Sequence, residues 1–430
     1  MIKGFWEKLQ KPIVGLSPMD GVTDAPWRFV AKKYGQPDVV FTEFVSAEGL
    51  WRIKKRGEMD NKIWNDLKFD ETQRPIVAQL FGSDPESFYQ AAKIICDLGF
   101  DGIDINMGCP SPGLEKRGGG AGLIRDHDLA RRVIEETRRG VNEWVEEEGM
   151  ENNESDMYRF RVKPGMTNER VAIPVTIKTR IGSATPDVEW WKFLASMELP
   201  VVSMHGRTFK QLYSGEADWE MLSEAAKIIR NENTLFLANG DVKRIKMSEA
   251  SKNDEDLWIP DQVGNDNRGD GLTTPPEADR NNGGIAKMTI ELTSGKELNT
   301  KDFDGVLIGR AAMGNPWAFR KDGYVATVEE KLNVAVEHAK KFEEFFKGED
   351  GEDLNGFRVK PGMTEDGLPR YTSAKGRTSC NDNSGFRFFP MRKHLAWYPH
   401  GFADASEVRR EMVMANSAKE VEDIVQKYLR

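Results

Sequence analysis

Eight short apolar runs are the feature of this chain that most restricts its fold. Each is rich in Val, Ile, Leu or Phe and lacks the regular polar–apolar alternation of a half-exposed strand. This composition predicts strands that are buried on both faces of a parallel sheet. The runs cover residues 13–19, 39–47, 75–82, 102–108, 174–182, 201–208, 234–242 and 305–312.

Helical patterns occupy most of the gaps between these runs. Several of them begin with Asp, a residue that caps helix N-termini well. They cover residues 24–34, 84–98, 126–148, 187–197 and 217–230. The repeated strand-then-helix order predicts an α/β protein with a (β/α)8 barrel.

The remaining sequence indicates a second domain and three insertions. Residues 326–430 have mostly helical patterns, which predicts a C-terminal helical domain after a barrel of residues 1–325. The stretches 149–172, 253–302 and 348–385 break the pattern of their surroundings. We expect them to be surface insertions or disordered segments.

Two of these stretches contain the same eight residues, at 160–167 and at 357–364. Nothing around the two copies matches, so the repeat does not reflect barrel symmetry. Our interpretation is a repetitive DNA element that entered the gene in frame and was tolerated in permissive loops. The alternative is a duplicated binding motif.

Charge and composition limit the classes of function. The 430-residue chain has a net charge of −9, which argues against binding nucleic acid through overall charge. Residues 386–430 nevertheless carry a local positive balance, with eight Lys and Arg against six Asp and Glu. The N-terminal segment lacks a signal-peptide core, and no apolar run approaches membrane-spanning length. We therefore expect a cytoplasmic protein that does not enter membranes.

The sequence predicts neither a disulfide framework nor a metal site. The three cysteines are too widely spaced for either. Four of the five histidines show no metal-ligand spacing. They are His127, His338, His394 and His400.

Cys109 is the strongest candidate for a catalytic residue. It lies on a predicted turn directly after the fourth apolar run, between Asn106-Met107-Gly108 and Pro110. Loops at strand ends of a barrel usually carry the catalytic side chains. The alternative is a buried structural cysteine, although the neighbouring Asn, Gly and Pro indicate a shaped turn.

Polar residues also stand at the ends of other predicted strands. Lys178 lies on an otherwise apolar strand and requires an anionic partner, because a buried unpaired charge is costly. A reduced flavin is such an anion. Gln79 and Asn106 offer the donor and acceptor that the edge of a flavin ring requires. The position of His205, at the end of the sixth predicted strand and before Gly206-Arg207-Thr208, favours a role in the site over that of a packed core histidine.

The last two predicted strands end in a candidate phosphate site. Barrels commonly bind phosphate with the loops after the seventh and eighth strands. These loops contain Asn239-Gly240-Asp241 and Gly309-Arg310. Glycine lets backbone N–H groups approach phosphate oxygens, and Arg310 can make a forked contact.

Six segments of the chain resemble the tRNA-dihydrouridine synthase family. They are residues 17–24, 106–110, 205–208, 213–219, 238–241 and 308–317. Residues 391–398 are similar to the bacterial B-type branch. The resemblance implies an FMN enzyme that uses NADPH to reduce uridine to 5,6-dihydrouridine in tRNA.

Carried over position by position, the resemblance implies individual roles. Cys109 matches the proton donor, and His205 matches a catalytic residue near flavin and substrate. The FMN site is matched by Pro18, Met19, Asp20, Gln79, Asn106, Lys178, His205, Asn239, Gly240, Asp241, Gly309 and Arg310. Asp20 stands where many relatives have Ala.

Contacts to tRNA are expected mainly from the tail. Arg392 and Lys393, with Arg207 on the barrel, are predicted to bind the substrate. The positive balance of the tail adds Arg409 and Arg410 as candidate phosphate contacts.

Two alternatives remain open at this point. The first is another FMN-dependent (β/α)8 oxidoreductase that acts on a free pyrimidine, such as a dihydroorotate dehydrogenase. The second is a tRNA-binding protein whose catalysis is impaired by the insertions. The helical tail argues against the first, and the presence of Cys109 with the flavin residues argues against the second.

Overall fold

A closed barrel of eight parallel strands forms the centre of the molecule. The computed structural model describes residues 2–58, 62–110, 112–147, 170–248, 287–299, 301–347 and 387–429. The barrel strands are β1 (Ile13–Leu16), β2 (Val39–Ser46), β3 (Ile76–Phe81), β4 (Gly102–Met107), β5 (Val175–Arg180), β6 (Val201–His205), β7 (Leu235–Asn239) and β11 (Gly305–Ile308). They pair in chain order, and β11 closes the barrel between β7 and β1. The predicted (β/α)8 fold is confirmed.

Helices connect the strands and form the C-terminal region. The α-helices are α1 (Ala25–Gly35), α2 (Ala47–Lys55), α3 (Lys62–Asp66), α4 (Pro85–Asp97), α5 (Pro112–Glu115), α6 (His127–Glu146), α7 (Val188–Ser196), α8 (Trp219–Ile229), α9 (Val328–Phe346), α10 (Met391–Leu395), α11 (Ala405–Met412) and α12 (Ala418–Leu429). Short 3-10 helices cover Gly4–Lys8, Glu71–Gln73, Gly120–Arg125, Arg310–Ala312 and Pro316–Phe319.

Asp residues start the main barrel helices, as the sequence predicts. In five helices the Asp side chain before the first turn accepts a hydrogen bond from the backbone N–H three residues later. Each such cap stabilises its helix by about 1 kcal/mol. The caps are Asp24, Asp84, Asp126, Asp187 and Asp218.

The barrel interior is apolar at one end and polar at the other. Trp6 plugs the end where the strands begin, packed among buried apolar side chains of the strand starts that include Phe41 and Val77. Further along the strands the interior side chains are polar, among them Gln79, Asp104 and Thr176. Polar groups are therefore held at the end where a barrel carries its active site.

A small antiparallel sheet follows β7 and was not predicted. It consists of β8 (Val242–Ser248), β9 (Lys287–Leu292) and β10 (Glu297–Asn299), in the order β10-β9-β8. Ile245 and Ile290 are fully buried in the main core. Of the two expectations for 253–302, a surface insertion or a disordered segment, disorder is therefore wrong for residues 287–299. Residues 253–286 lie outside the described residues.

The other two insertions cannot be compared with the structure in full. Residues 149–169 and 348–385, with both copies of the eight-residue repeat, lie outside the described residues. Arg170, at the end of the first insertion, donates a hydrogen bond to the Trp144 carbonyl at 2.6 Å, at the end of α6.

The C-terminal helices pack against α1. His338 on α9 contacts Trp27 on α1, with 5.5 Å between ring centroids, and Lys33 pairs with Glu337 at 2.6 Å. On α10, His394 Nε2 lies 3.0 Å from Asp24 Oδ2. Among the helices that the structure describes, none has the length and apolar composition needed to cross a membrane.

Candidate active site

The strand register brings the predicted site residues to adjacent positions at one end of the barrel. Asn106 on β4 is level with Lys178 on β5. Two residues further along β5, Arg180 is level with His205 on β6. His205 is in turn level with Asn239 on β7. Neighbouring strands are about 4.8 Å apart, so these side chains line one continuous arc.

A chain of hydrogen bonds links the interior of the barrel to Cys109. Gln79 Nε2 donates to Asp104 Oδ2 at 2.7 Å, and Asn106 Nδ2 donates to Gln79 Oε1 at 3.0 Å. Asn106 Oδ1 then accepts from the backbone N–H groups of Gly108 at 3.1 Å and Cys109 at 2.8 Å. The side chain of Asn106 therefore fixes the backbone from which the thiol projects.

Cys109 is half-buried on the loop after β4, whereas Cys96 is packed inside α4. Gly120 lies against Cys109: a Cβ on Gly120 would approach the Cys109 carbonyl oxygen to 3.1 Å and Leu114 to 2.8 Å. Its φ of +56° also favours glycine. The glycine-rich segment after α5 thus allows a close approach to the Cys109 loop.

Cationic groups surround the same end of the barrel. Burial, and then the nearby Arg180 guanidinium, lowers the pKa of Lys178 to about 8. Burial, with the positive charges of Lys178 and Arg180, holds the pKa of His205 well below its usual range. At neutral pH the His205 imidazole is therefore uncharged, while Lys178 remains largely cationic and suits an anionic ligand.

Arg180, the last residue of β5, ties the loops after β4 and β6 together. Its Nε donates to the Gly108 carbonyl at 2.8 Å, and its Nη1 donates to the carbonyls of Thr208 and Leu212, both at 3.0 Å. Because all three acceptors are backbone oxygens, Arg180 fixes the shape of the barrel mouth. It also holds Gly108, next to Cys109, against the loop after β6.

The ends of β7 and β11, where the sequence predicts a phosphate site, lie side by side in the barrel. Asn239 Nδ2 donates to the Leu307 carbonyl at 2.8 Å, which joins the two strands. Gly240 has φ +131°, and a Cβ there would lie 2.6 Å from Ala217. Gly309 faces the loop after β1, where a Cβ would lie 3.4 Å from Met19 Sδ. Arg310 is exposed at the rim.

The loop after β1 brings Pro18, Met19 and Asp20 to the same mouth. The Met19 carbonyl accepts from the N–H groups of Val22 and Thr23, at 3.1 and 3.0 Å. Pro18 and Met19 are half-buried, and Asp20 is exposed. The loop is therefore a closed turn that presents Met19 toward Gly309.

Two orphan polar atoms line the interior beside these residues. The Nδ1 atom of His205 and the Oγ atom of Ser203 are buried and have no hydrogen-bond partner within the described part of the chain. Buried polar atoms are normally paired. Together with the glycine approach at Gly240 and the cation at Lys178, they fit an anionic, hydrogen-bonding group such as FMN.

The structure corrects the predicted role of Arg207. Its side chain is 2% exposed and forms a two-point ion pair with Asp241, at 3.0 and 2.6 Å. It also donates to the carbonyl of Gly215 at 2.5 Å. A buried, fully engaged guanidinium does not reach RNA, so Arg207 shapes the loops after β6 and β7 instead.

The carboxylate of Asp241 is the anionic partner of Arg207 in this ion pair. Burial would raise its pKa, but hydrogen bonds from Arg207 and the Ala217 N–H outweigh this effect, and its pKa lies below the usual range. Arg310 Nη2 is also 3.0 Å from Asp241 Oδ1. A phosphate would be repelled by this carboxylate, so any contribution of Asp241 to phosphate binding comes from its backbone.

In the tail, Arg392 also has an internal role. Its guanidinium donates to the carbonyls of Ala415 at 3.0 Å and Met414 at 3.1 Å, and to Asn416 Oδ1 at 2.6 Å. Arg409 likewise donates to the carbonyls of Ala396 and Pro399. These bonds cross-link the C-terminal helices and do not fit the predicted phosphate contacts.

Lys393 is placed differently. It is exposed, and its Nζ atom would lie 3.2 Å from a Cβ on Gly21, in the loop after β1. Of the two tail residues predicted to bind the substrate, Arg392 and Lys393, Lys393 is the one whose side chain reaches the loop after β1.

Two features of the site were not predicted from the sequence. Glu43 on β2 is buried, and its carboxylate accepts the Gly21 N–H. Burial, and then the negative charges of Asp66 and Asp24, raises the pKa of Glu43 to about 7. The second feature is Asp104, a charged residue within the apolar run 102–108 to which the sequence analysis gave no role.

A buried cluster joins the barrel to the helical region. Among the described residues, Asp24, His338 and His394 form the one group with three candidate metal ligands, within 4.8 Å of one another. Direct contacts involve all three: Asp24 Oδ2 faces His394, and His338 Nδ1 lies 3.0 Å from the Tyr398 hydroxyl. The absence of a resident metal stays a prediction.

A closed (β/α)8 barrel with polar strand ends has the architecture of an enzyme. A family model described as "Dihydrouridine synthase (Dus)" matches residues 15–147 and 166–255. The chain therefore belongs to the dihydrouridine synthase family.

Curated relatives are similar in sequence to this protein over most of its length. A "Probable tRNA-dihydrouridine synthase" of Staphylococcus aureus (strain MRSA252) is 30% identical over 355 residues, covering 81% of this chain and 83% of the relative. A "Probable tRNA-dihydrouridine synthase 2" of Bacillus subtilis (strain 168) is 27% identical, covering 100% and 99%. Among solved structures, the old yellow enzyme homologue from Zymomonas mobilis has 13% identity and a TM-score of 0.33, covering 71% of this chain and 85% of that chain. That likeness is too distant to bear on function.

Proposed function

We propose that this protein is a flavin-dependent tRNA-dihydrouridine synthase. It reduces uridine to 5,6-dihydrouridine in tRNA, with FMN as cofactor and NADPH as reductant. Membership of the dihydrouridine synthase family carries the proposal. The geometry supports it, because the residues expected of such a site share one end of the barrel.

The described residues suit FMN. Lys178 provides the cation, and Gln79 and Asn106 provide amide groups at the adjacent strand ends. Gly240, Gly309 and Arg310 would hold the phosphate at the ends of β7 and β11. When bound, the flavin supplies the hydride that is transferred to C6 of uracil.

Cys109 supplies the proton that completes the reduction. The thiol gives its proton to C5, so that uridine, NADPH and one proton yield dihydrouridine and NADP⁺. A thiol can act as an acid only while it is protonated. Asn106 and Arg180 determine where this thiol lies, because they hold the N–H and the carbonyl of the peptide group that joins Gly108 to Cys109.

His205 acts as a neutral hydrogen-bonding group. Its lowered pKa makes imidazolium a minor species at neutral pH, so His205 is a poor proton source for the reaction. Its position beside Gly240 and Lys178 suits a contact to the flavin or the base.

The helical region binds tRNA, and residues 1–325 form the catalytic barrel. A stacked base must leave the RNA helix to reach the barrel mouth. Lys393 is well placed to meet a phosphate next to that base, because it lies beside the loop after β1. Backbone phosphates supply most of the affinity in such complexes.

Dihydrouridine mapping tests the function directly. Transfer RNA from cells that lack the gene should lose dihydrouridine at one or more positions, and the purified protein should restore it with NADPH. Unchanged dihydrouridine in the deletion strain, with no NADPH oxidation on unmodified tRNA, would contradict the proposal. Activity on free dihydroorotate or free uracil would instead favour a small-molecule oxidoreductase.

A further inference from the structure

We propose that Asp104 is a positioning residue that sets the direction of the hydrogen-bond chain ending at Cys109. The inference rests on the proposed function, since its consequence is the placement of the proton-donating thiol. Asp104 touches neither the mouth of the barrel nor Cys109. It acts through Gln79 and Asn106.

Asp104 lies one layer below the site, inside the barrel. It is two residues before Asn106 on β4, so both side chains point inward, and it is fully buried. Its carboxylate is held from both sides: Gln79 Nε2 donates to Oδ2 at 2.7 Å, and Thr176 Oγ1 donates to Oδ1 at 2.7 Å. Both partners stand level with it on β3 and β5.

Both ends of this series of hydrogen bonds require the same donor-to-acceptor direction. An ionised carboxylate only accepts hydrogen bonds, and a backbone N–H only donates them. Asp104 therefore turns the NH₂ group of Gln79 toward itself, which leaves Gln79 Oε1 to accept from Asn106. Asn106 Oδ1 is then free to accept the N–H groups of Gly108 and Cys109.

A group at position 104 that can donate removes this constraint. The Gln79 amide can then turn over and present its NH₂ group to Asn106. Asn106 must turn as well, and its own NH₂ group would face the two backbone N–H donors. Unpaired buried donors are costly, so the loop that carries Cys109 would shift away from them.

The surroundings of Asp104 make this arrangement sensitive to pH. Burial raises the pKa of Asp104 to about 6, although the hydrogen bonds from Gln79 and Thr176 and the charge of Lys178 act against the increase. Lys178 on β5 is the charged group facing it, and His205 on β6 is neutral at this pH. As the pH falls through about 6, Asp104 becomes protonated and can donate a hydrogen bond. The fixed direction of the hydrogen bonds through Gln79 and Asn106 is then lost.

Single-turnover kinetics on the holoenzyme tests the proposal. The flavin is first reduced with NADPH, and its reoxidation by unmodified tRNA is followed from pH 5 to pH 9. We expect the parent rate to fall below about pH 6. Asp104→Asn should lower the plateau by about 10- to 100-fold, because small misplacements of a reacting group cost this much. It should also remove the acid limb, because an amide does not titrate.

Thr176→Val is the matched control. It is equally buried and removes the other hydrogen bond to the same carboxylate, but it leaves Gln79 in place. The hydrogen bond from Thr176 favours the ionised form, so its loss should move the acid limb to higher pH. A merely structural effect would not move this midpoint.

The outcomes are separable. An Asp104→Asn variant with the parent's acid limb and plateau would overturn the proposal, as would a Thr176→Val variant whose limb does not move. If Asp104→Asn does not fold, the shift in Thr176→Val still decides. If the parent itself is not reoxidised by tRNA, the proposed function fails instead.

Discussion

Two cysteines of this chain lie in different surroundings. Cys96 is packed inside α4, where burial raises the pKa of its thiol, and it serves the core. Cys109 is half-buried at the end of β4, with its backbone fixed by Asn106. The difference follows from position relative to the strand end, which the sequence reveals through the turn residues after β4.

Substitution of Cys109 tests its role as the acid. Cys109→Ala should retain the flavin and its reduction by NADPH, and should lose about 10²–10⁴-fold in tRNA reduction, since this is the usual contribution of a positioned acid. Stopped-flow absorbance measures the two half-reactions separately. Cys96→Ala is the control and should leave tRNA reduction near the parent value. An equal loss in both half-reactions of Cys109→Ala would contradict the acid role.

Glu43 should make the protein less stable as the pH rises. Its pKa is raised from 4.5 in the unfolded chain to about 7 in the fold, so the fold favours the protonated form. The stability that this provides is present below pH 4.5 and is lost as the pH rises through 7.

Glu43→Gln removes this dependence and still accepts the Gly21 N–H. It should increase the free energy of unfolding by about 1–2 kcal/mol more at pH 8 than at pH 5.5, given about 1.4 kcal/mol per pKa unit. Urea unfolding at the two pH values measures the difference. An equal effect at both values would show that Glu43 is ionised without penalty.

At this scale the sequence predicted which residues stand at the barrel mouth, but not what each side chain contacts. Lys178, Asn106 and Cys109 follow from strand ends alone. The internal contacts of Arg207 and Arg392 were not predicted. Their partners are an aspartate and backbone carbonyls from other parts of the chain. No local pattern encodes such partners.

At the scale of elements, apolar runs predicted the barrel strands well and the added sheet poorly. The barrel strands are buried on both faces and contain continuous apolar runs. In β9, apolar Met288, Ile290 and Leu292 alternate with Thr289 and Glu291, and the strand is only six residues long. It pairs with β8 across a long sequence separation. A short alternating segment at the end of a stretch rich in Asn, Asp and Gly gave too weak a signal.

Substitutions in β9 test whether this sheet belongs to the core. Ile290→Ala should reduce the free energy of unfolding by about 2–5 kcal/mol, because Ile290 is fully buried. Glu291→Gln should cost less than about 1 kcal/mol, although Lys243, Arg244 and Lys246 all pair with Glu291. These three cations are partly exposed to water, which weakens ion pairs. Chemical denaturation measures both changes, and similar losses would contradict the packing argument.

At the scale of the whole molecule, a buried polar cluster joins the helical region to the barrel. Asp24 caps α1 through Trp27 N–H and also faces His394 on α10. His338 on α9 packs between Trp27 and His394. Nothing in the sequence indicates that these residues meet, because they lie on three helices far apart in the chain. The contact fixes α10, and with it Lys393, beside the loop after β1.

The position of Lys393 leads to a test of tRNA binding. Lys393→Ala should weaken tRNA binding and lower the magnitude of the salt slope by about one unit, because each phosphate contact releases about one counterion.

Arg409→Ala is the matched control: it removes a cation from the same region, but its guanidinium is bonded to the Ala396 and Pro399 carbonyls. It should lower the stability of the helical region and leave the salt slope unchanged. Reduction of the flavin by NADPH should be the same in both variants, since neither residue lines the flavin site. Filter-binding titrations of tRNA at several salt concentrations measure the slopes. An unchanged slope in Lys393→Ala, or a reduced slope in Arg409→Ala, would show that the phosphate contacts lie elsewhere, with Arg52 and Lys55 on α2 as the next residues to test.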